Sequence, residues 1–174
     1  GMEGVDNVLA VTGDPIPTAE RDEVKAVYNF NSRRLAAFIA SLNENVLSNK
    51  VNVYGALNVN AVNFDVQLGL AKEKVQNGMI GFLTQPVLSR RGLDNLKRAT
   101  VELDAKILGG IMPIVSHRNA CFMNSEVAGV TVDDDIVKMY EGKNREDAEK
   151  LALEISCKTA EEMTDFVDGF YIIT

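Results

Sequence analysis

The chain has 174 residues, 46% hydrophobic and 25% charged, a composition that suits one globular domain and excludes a disordered or fibrous chain. Its net charge of −7, from 25 acids against 18 bases, argues against a nucleic-acid surface, because phosphate contact needs a clustered basic footprint and the only adjacent arginines are Arg33-Arg34 and Arg90-Arg91. Two distant cysteines, Cys121 and Cys157, indicate neither a disulfide framework nor a metal site, and no run approaches the ~18 apolar residues of a membrane helix. A reducing cytoplasm is the expected setting.

The first element is the apolar run Val8-Leu-Ala-Val, which stops on Thr12-Gly13-Asp14-Pro15. It reads as a buried parallel strand with its exit turn, where α/β folds place their chemistry. A polar loop follows through about Asn29. From Asn31 or Ser32, as an N-cap, Leu35, Phe38, Ile39, Leu42 and Val46 recur at helical spacing. Val51–Tyr54 is the second strand, with residues 55–60 as its exit loop. The next helix carries Phe64, Leu68, Ala71 and Val75 and stops at Gly78.

Met79–Leu83 is the third strand, ending on Thr84-Gln85-Pro86. A helix from about Ser89 is expected to bury Leu93, Leu96 and Val101, and Lys106–Ile111 is the fourth strand. A short helix over residues 118–126 and another opened by Asp133-Asp134-Asp135 follow, the acids suiting a helix amino terminus. Asn144 and Asp147 form a capping-box pattern for a long helix with Ala148, Leu151, Ile155 and Met163 inward. Phe170–Ile173 is the last strand. Cys121, Cys157, Met112, Phe122 and Met123 read as core.

Strands alternating with helices predict an α/β fold with a parallel sheet, either an open sandwich or part of a barrel, in one domain over residues 1–174. No G-x-G-x-x-G follows the first strand and no Walker A lysine is present.

Five motifs in order, Leu9-Ala-Val-Thr-Gly-Asp-Pro15, Lys74-Val-Gln-Asn-Gly78, Phe82-Leu-Thr-Gln-Pro86, Gly110-Ile-Met-Pro-Ile114 and Gly169-Phe-Tyr-Ile-Ile-Thr174, resemble the methylenetetrahydrofolate reductases. Ser116-His-Arg-Asn119 is most similar to the reductase half of bacterial proteins fused to a homocysteine methyltransferase. The resemblance implies an incomplete TIM (β/α)8 barrel, roughly its fourth to eighth strands. It implies FAD as cofactor, NADH or NADPH as hydride donor and a folate as substrate. The family's general-acid glutamate, on the first strand, and an arginine after the last have no counterpart here. The chain alone is therefore expected to be inactive, and to self-associate or pair with the remaining barrel segment.

The same resemblance gives roles to particular residues. Asp14 would sit between flavin and folate as the catalytic carboxylate, stabilising the cationic 5-iminium form of the substrate. By residue type alone it is also an ordinary turn aspartate. Thr12 and Gly13 would flank the flavin beside Asp14. Gln85, with a donor and an acceptor, suits a pterin edge, or simply satisfies the loop before Pro86. Lys74 would lie near the flavin's phosphates or ribityl chain, although a lysine late in a helix also complements the dipole. Asn58 and Asn60 would contact flavin or make turns, and the single histidine, His117, would touch substrate or nicotinamide. No metal site is expected. Two alternatives stay open: a non-catalytic assembly module, and a flavin-free barrel enzyme acting on pterin or corrinoid substrates.

Overall fold

A computed structural model describes residues 4–12 and 30–174 of the chain. Gly13 and Asp14 lie outside the described residues, as does the loop that follows them. The elements run β1 (Asn7–Ala10), α1 (Ser32–Asn45), β2 (Asn52–Leu57), α2 (Phe64–Gln76), β3 (Met79–Pro86), α3 (Arg90–Glu102), β4 (Lys106–Ile111), α4 (His117–Glu126), α5 (Asp134–Met139), α6 (Arg145–Met163) and β5 (Gly169–Ile172). The sheet order is β1-β2-β3-β4-β5 and every pairing is parallel. Sequential parallel strands with helical crossovers make the α/β, partial TIM-like architecture that the alternating pattern predicts.

The helices cover one face of the sheet. Val53, Leu57, Phe82 and Ile107 point into a core with Ala36, Leu68, Ala71, Leu93, Leu96, Ala99 and Met163. Phe82 and Ile107 are fully buried, each worth about 1.5–3 kcal/mol relative to exposure. A second core under α4, α5 and α6 gathers Met112, Ile114, Ala120, Val132, Tyr140, Ala148 and Leu151. Among the described residues the buried Tyr140 hydroxyl has no hydrogen-bond partner, and burial pushes its pKa up to about 12.

Neighbours on the opposite face behave differently. Leu9 is 49% exposed, and Tyr54, Leu83 and Leu108 are half-buried. Among the described residues β1 and β5 are edge strands, so this face is less covered than the two-sided burial usual for a parallel sheet.

Several boundaries depart from the sequence expectations for physical reasons. β2 runs on through Gly55 to Leu57. A Cβ at Gly55 would fall 2.5 Å from Met79 Sδ and 3.1 Å from the Phe82 ring, so the glycine serves close packing inside a strand instead of a turn. β3 likewise continues through Thr84-Gln85-Pro86. Its ladder with β4 shifts register between Leu83 and Pro86, and the buried Thr84 hydroxyl accepts the Gly110 N–H there at 2.9 Å. β1 ends at Ala10, short of Thr12.

Helix ends follow their caps. The side chains of Asn31, Asn63, Ser89, Ser116 and Asn144 each accept a backbone N–H in the first turn of the helix they open. Gly78 adopts φ +94° after α2, as its position as a helix stop requires. Asp133 departs from the pattern: it makes no side-chain cap on α5, and its carboxylate instead accepts Arg90 N at 2.7 Å, serving the amino terminus of α3. Removal of the α6 cap by Asn144→Ala is expected to cost about 1 kcal/mol. That lowers Tm by roughly 2–4 °C, which thermal denaturation followed by circular dichroism will show; an unchanged Tm would mean the cap contributes nothing.

Some apolar residues are not core. Val101 is 85% exposed because Leu93, Leu96, Ala99 and Leu103 define the inward stripe and Val101 falls on the other side of α3. Phe38 is half-exposed and stacks on Phe30, ring centroids 5.6 Å apart. Cys121, Cys157 and Phe122 are exposed, whereas Met112 is buried as expected. Among the described residues no helix is long and apolar enough to cross a membrane.

Candidate functional site

The carboxyl ends of β1, β2 and β3 deliver Thr12, Asn58 and Gln85 to one cleft of about 550 Å³. Its remaining walls are Ala10, Val11, Ser32, Ala56, Gln67 and Lys74. Four of the residues singled out in the sequence, Thr12, Asn58, Lys74 and Gln85, therefore come together. Side chains from three strand ends and two helices meet because the parallel sheet aims every exit loop the same way.

Lys74 reaches this cleft from α2. The β1 ladder ends with Ala10 opposite Gly55, and the Ala56 carbonyl one residue further on accepts a hydrogen bond from Lys74 Nζ at 2.8 Å. The ammonium also lies 5.9 Å from the centre of the Phe82 ring. Burial, and secondarily the positive charge of Arg33, holds the Lys74 pKa below its ordinary value. Arg33 is itself paired with Glu73, the residue before Lys74. An ammonium has three donors, and Ala56 uses one of them. Among the described residues Lys74 donates only to the Ala56 carbonyl, and a half-buried cation of this kind is a site that an anion or an acceptor-rich ligand would stabilise.

Thr12 and Ser32 are joined by a hydrogen bond between their hydroxyls at 3.0 Å, and Thr12 Oγ1 also accepts Ser32 N at 3.0 Å. This tie fixes the exit of β1 to the start of α1. Asn58 turns its Oδ1 back to accept Asn60 N at 3.0 Å, and its Nδ2 group lies near Gly129. Gln85 is half-buried beside the same glycine.

Asn60 and His117 stand apart from the cleft. Asn60 is 4% exposed, and its amide is engaged by Pro86 O, Gly129 O and the Ser89 hydroxyl. His117 is exposed at the start of α4, with Cys121 Sγ 3.8 Å from its Nε2, and does not line the cleft. Among the described residues no group of three or more His, Cys, Asp or Glu side chains could hold a metal ion.

Ser32 and Gln67 belong to the cleft without having been singled out as binding residues. The spacing from Gln67 to Lys74, seven residues or two helical turns, places both on one face of α2 and is the signal that links them. Ser32 carries no such signal, since its hydroxyl matters only because β1 ends beside it.

Comparison with known proteins adds three findings. No curated protein matches the chain. A solved structure, described as an uncharacterized protein from Clostridium thermocellum that binds two copies of 5-methyl-5,6,7,8-tetrahydrofolic acid, is similar with a TM-score of 0.50 at 13% sequence identity. The match covers 72% of this chain and 48% of that one, so the chain spans about half the length of that structure, and likeness at such low identity concerns the fold. The family model for methylenetetrahydrofolate reductase matches residues 2–174. With that match running the length of the five-stranded parallel array and across every exit loop of the cleft, the chain belongs to the methylenetetrahydrofolate reductase family.

Proposed function

We propose that this chain forms part of a FAD-dependent methylenetetrahydrofolate reductase, an oxidoreductase that uses NADH or NADPH to convert 5,10-methylenetetrahydrofolate to 5-methyltetrahydrofolate. The observation that carries the reading is the convergence of Thr12, Asn58, Lys74 and Gln85 on one cleft at the carboxyl end of the sheet. The donor set fits the cofactor: hydroxyls at Thr12 and Ser32, an amide at Asn58 and a desolvated ammonium at Lys74 suit the ribityl and phosphate portion of FAD. When bound, FAD supplies a two-electron carrier between nicotinamide and folate.

The protein's part is binding, orientation and charge placement. Lys74 holds an anionic or acceptor-rich segment of the cofactor. Gln85 presents both a donor and an acceptor to the pterin edge. Asp14 lies outside the described residues; the family resemblance gives it the role of a carboxylate that would stabilise the cationic 5-iminium form of the folate. His117 contacts substrate or nicotinamide only if the ligand extends from the cleft to the start of α4. The test is to follow the two half-reactions separately, nicotinamide-dependent bleaching of flavin absorbance and its return on addition of methylenetetrahydrofolate.

The open strands β1 and β5 carry a second property, association. Among the described residues each edge has no strand paired to its outer side, and Leu9 and Ile172, 49% and 68% exposed, lie on these edges. The chain is expected to self-associate through these strands or to pair with a further barrel segment. Sedimentation at ~100 µM should show species larger than a monomer, in line with the aggregation tendency of uncovered edges; a monodisperse monomer would contradict this.

A further inference from the structure

We propose that Asn60 is a positioning residue for the Asn58 and Gln85 amides, and that Gly129 determines their spacing by having no side chain. This deepens the reading of the cleft as a flavin and folate site and rests on it for its ligand.

Asn60 joins three segments that are far apart in sequence. Its Nδ2 donates to Pro86 O at 3.0 Å, at the exit of β3, and to Gly129 O at 2.9 Å, in the connector between α4 and α5. Its Oδ1 accepts the Ser89 hydroxyl at 3.2 Å, and Ser89 in turn accepts Gly92 N at 3.0 Å as the cap of α3. Its own backbone N–H donates to the Asn58 side-chain Oδ1 at 3.0 Å. The knot also requires glycine at position 92, because a Cβ there would fall 2.5 Å from Asn60 Oδ1. With two donors and one acceptor filled and 4% exposure, Asn60 acts through its neighbours instead of on a ligand.

The pinned connector brings Gly129 against the cleft amides. A Cβ at Gly129 would lie 3.2 Å from Asn58 Nδ2 and 3.5 Å from Gln85 Cδ. Gly129 also adopts φ +81°, which a side chain disfavours. The two amides flank one bare α-carbon, and Asn60 fixes where that α-carbon sits. The connector thereby backs the Asn58 and Gln85 side chains from behind the cleft lining, and the separation of the two amides is set by the fold before any ligand arrives.

The first test needs no variant. In nuclear magnetic resonance spectra of the intact protein, the Asn60 side-chain amide protons should exchange with solvent at least tenfold more slowly than those of Asn58 and Gln85. Gly129→Ala should then shift the Asn58 and Gln85 side-chain amide signals while sparing those of Asn7 and Asn144. It should also raise the Kd for 5-methyltetrahydrofolate at least fivefold. Asn60→Asp, which keeps size but removes both donors, should do the same, and Asn60→Ser replaces it if the aspartate fails to fold. Rapid exchange at Asn60, or unmoved Asn58 and Gln85 signals in Gly129→Ala, would overturn the proposal. Absence of folate binding by the unsubstituted protein, with the exchange and signal shifts as described, would overturn the functional reading and leave the positioning role standing.

Discussion

Lys74→Met is expected to weaken FAD binding by about 10- to 100-fold while leaving the apo protein as stable as before, or more stable by up to about 1 kcal/mol. The loss follows from removing a charge-assisted hydrogen bond, worth roughly 1.5–3 kcal/mol. The stability follows from the cost of a half-buried ammonium that has the Ala56 carbonyl as its hydrogen-bond partner and the positive Arg33 nearby. Because burial lowers the folded-state pKa of Lys74 below its unfolded value, the unfolded chain binds more protons between the two. Stability of the unsubstituted protein therefore rises with pH through that window, and the Met variant lacks this component. An anion in the cleft favours the protonated lysine, so FAD affinity should fall as pH rises through the Lys74 titration. Flavin fluorescence titrations and urea unfolding at pH 7 and 10 measure both effects. Unchanged affinity in the variant would remove Lys74 from the site.

Asp14→Asn is expected to slow reduction of methylenetetrahydrofolate by about 10²-fold, with a much smaller effect on reduction of flavin by nicotinamide. The 5-iminium cation forms only in the folate half-reaction, when the ring bridging N5 and N10 opens, so a carboxylate beside it would favour that step; in the flavin half-reaction the positive charge develops on the nicotinamide ring instead. Asn keeps the size and the hydrogen-bonding capacity while removing the charge. Stopped-flow measurement of each half-reaction separates them. Equal and small effects on both would reduce Asp14 to a turn residue.

The order of strands and helices was legible because its signals are local. Caps such as Asn31, Ser89 and Asn144 and the stop at Gly78 are properties of a few adjacent residues, and they recur in the structure at those positions. Strand ends were less legible. Gly55 and Pro86 read as punctuation, yet packing of Gly55 against Met79 and pairing of Pro86 with Gly110 across the sheet keep both inside strands. Periodicity misplaced Val101, whose side of α3 is decided by which residues face the sheet.

The cleft was partly legible for the same reason. Thr12, Asn58 and Gln85 could be named because they stand at strand exits where the resemblance places binding residues. Asn60 looked equivalent to Asn58, two residues away, but its partners Pro86, Ser89 and Gly129 are distant in sequence and consume its amide. His117 sits on an exit loop too, and the sequence gives no measure of how far that loop stands from the others. Ser32 and Gln67 enter only through the way α1 and α2 flank the end of β1.

The most direct test of the central claim is anaerobic single-turnover spectroscopy of the protein with FAD, by itself and with a segment of further barrel strands supplied in the same polypeptide or in trans. The account predicts saturable FAD binding, loss of flavin absorbance on adding NADH or NADPH, and its recovery on adding methylenetetrahydrofolate with formation of one 5-methyltetrahydrofolate per flavin. Reduced flavin that methylenetetrahydrofolate does not reoxidise, or no saturable FAD binding, would contradict it.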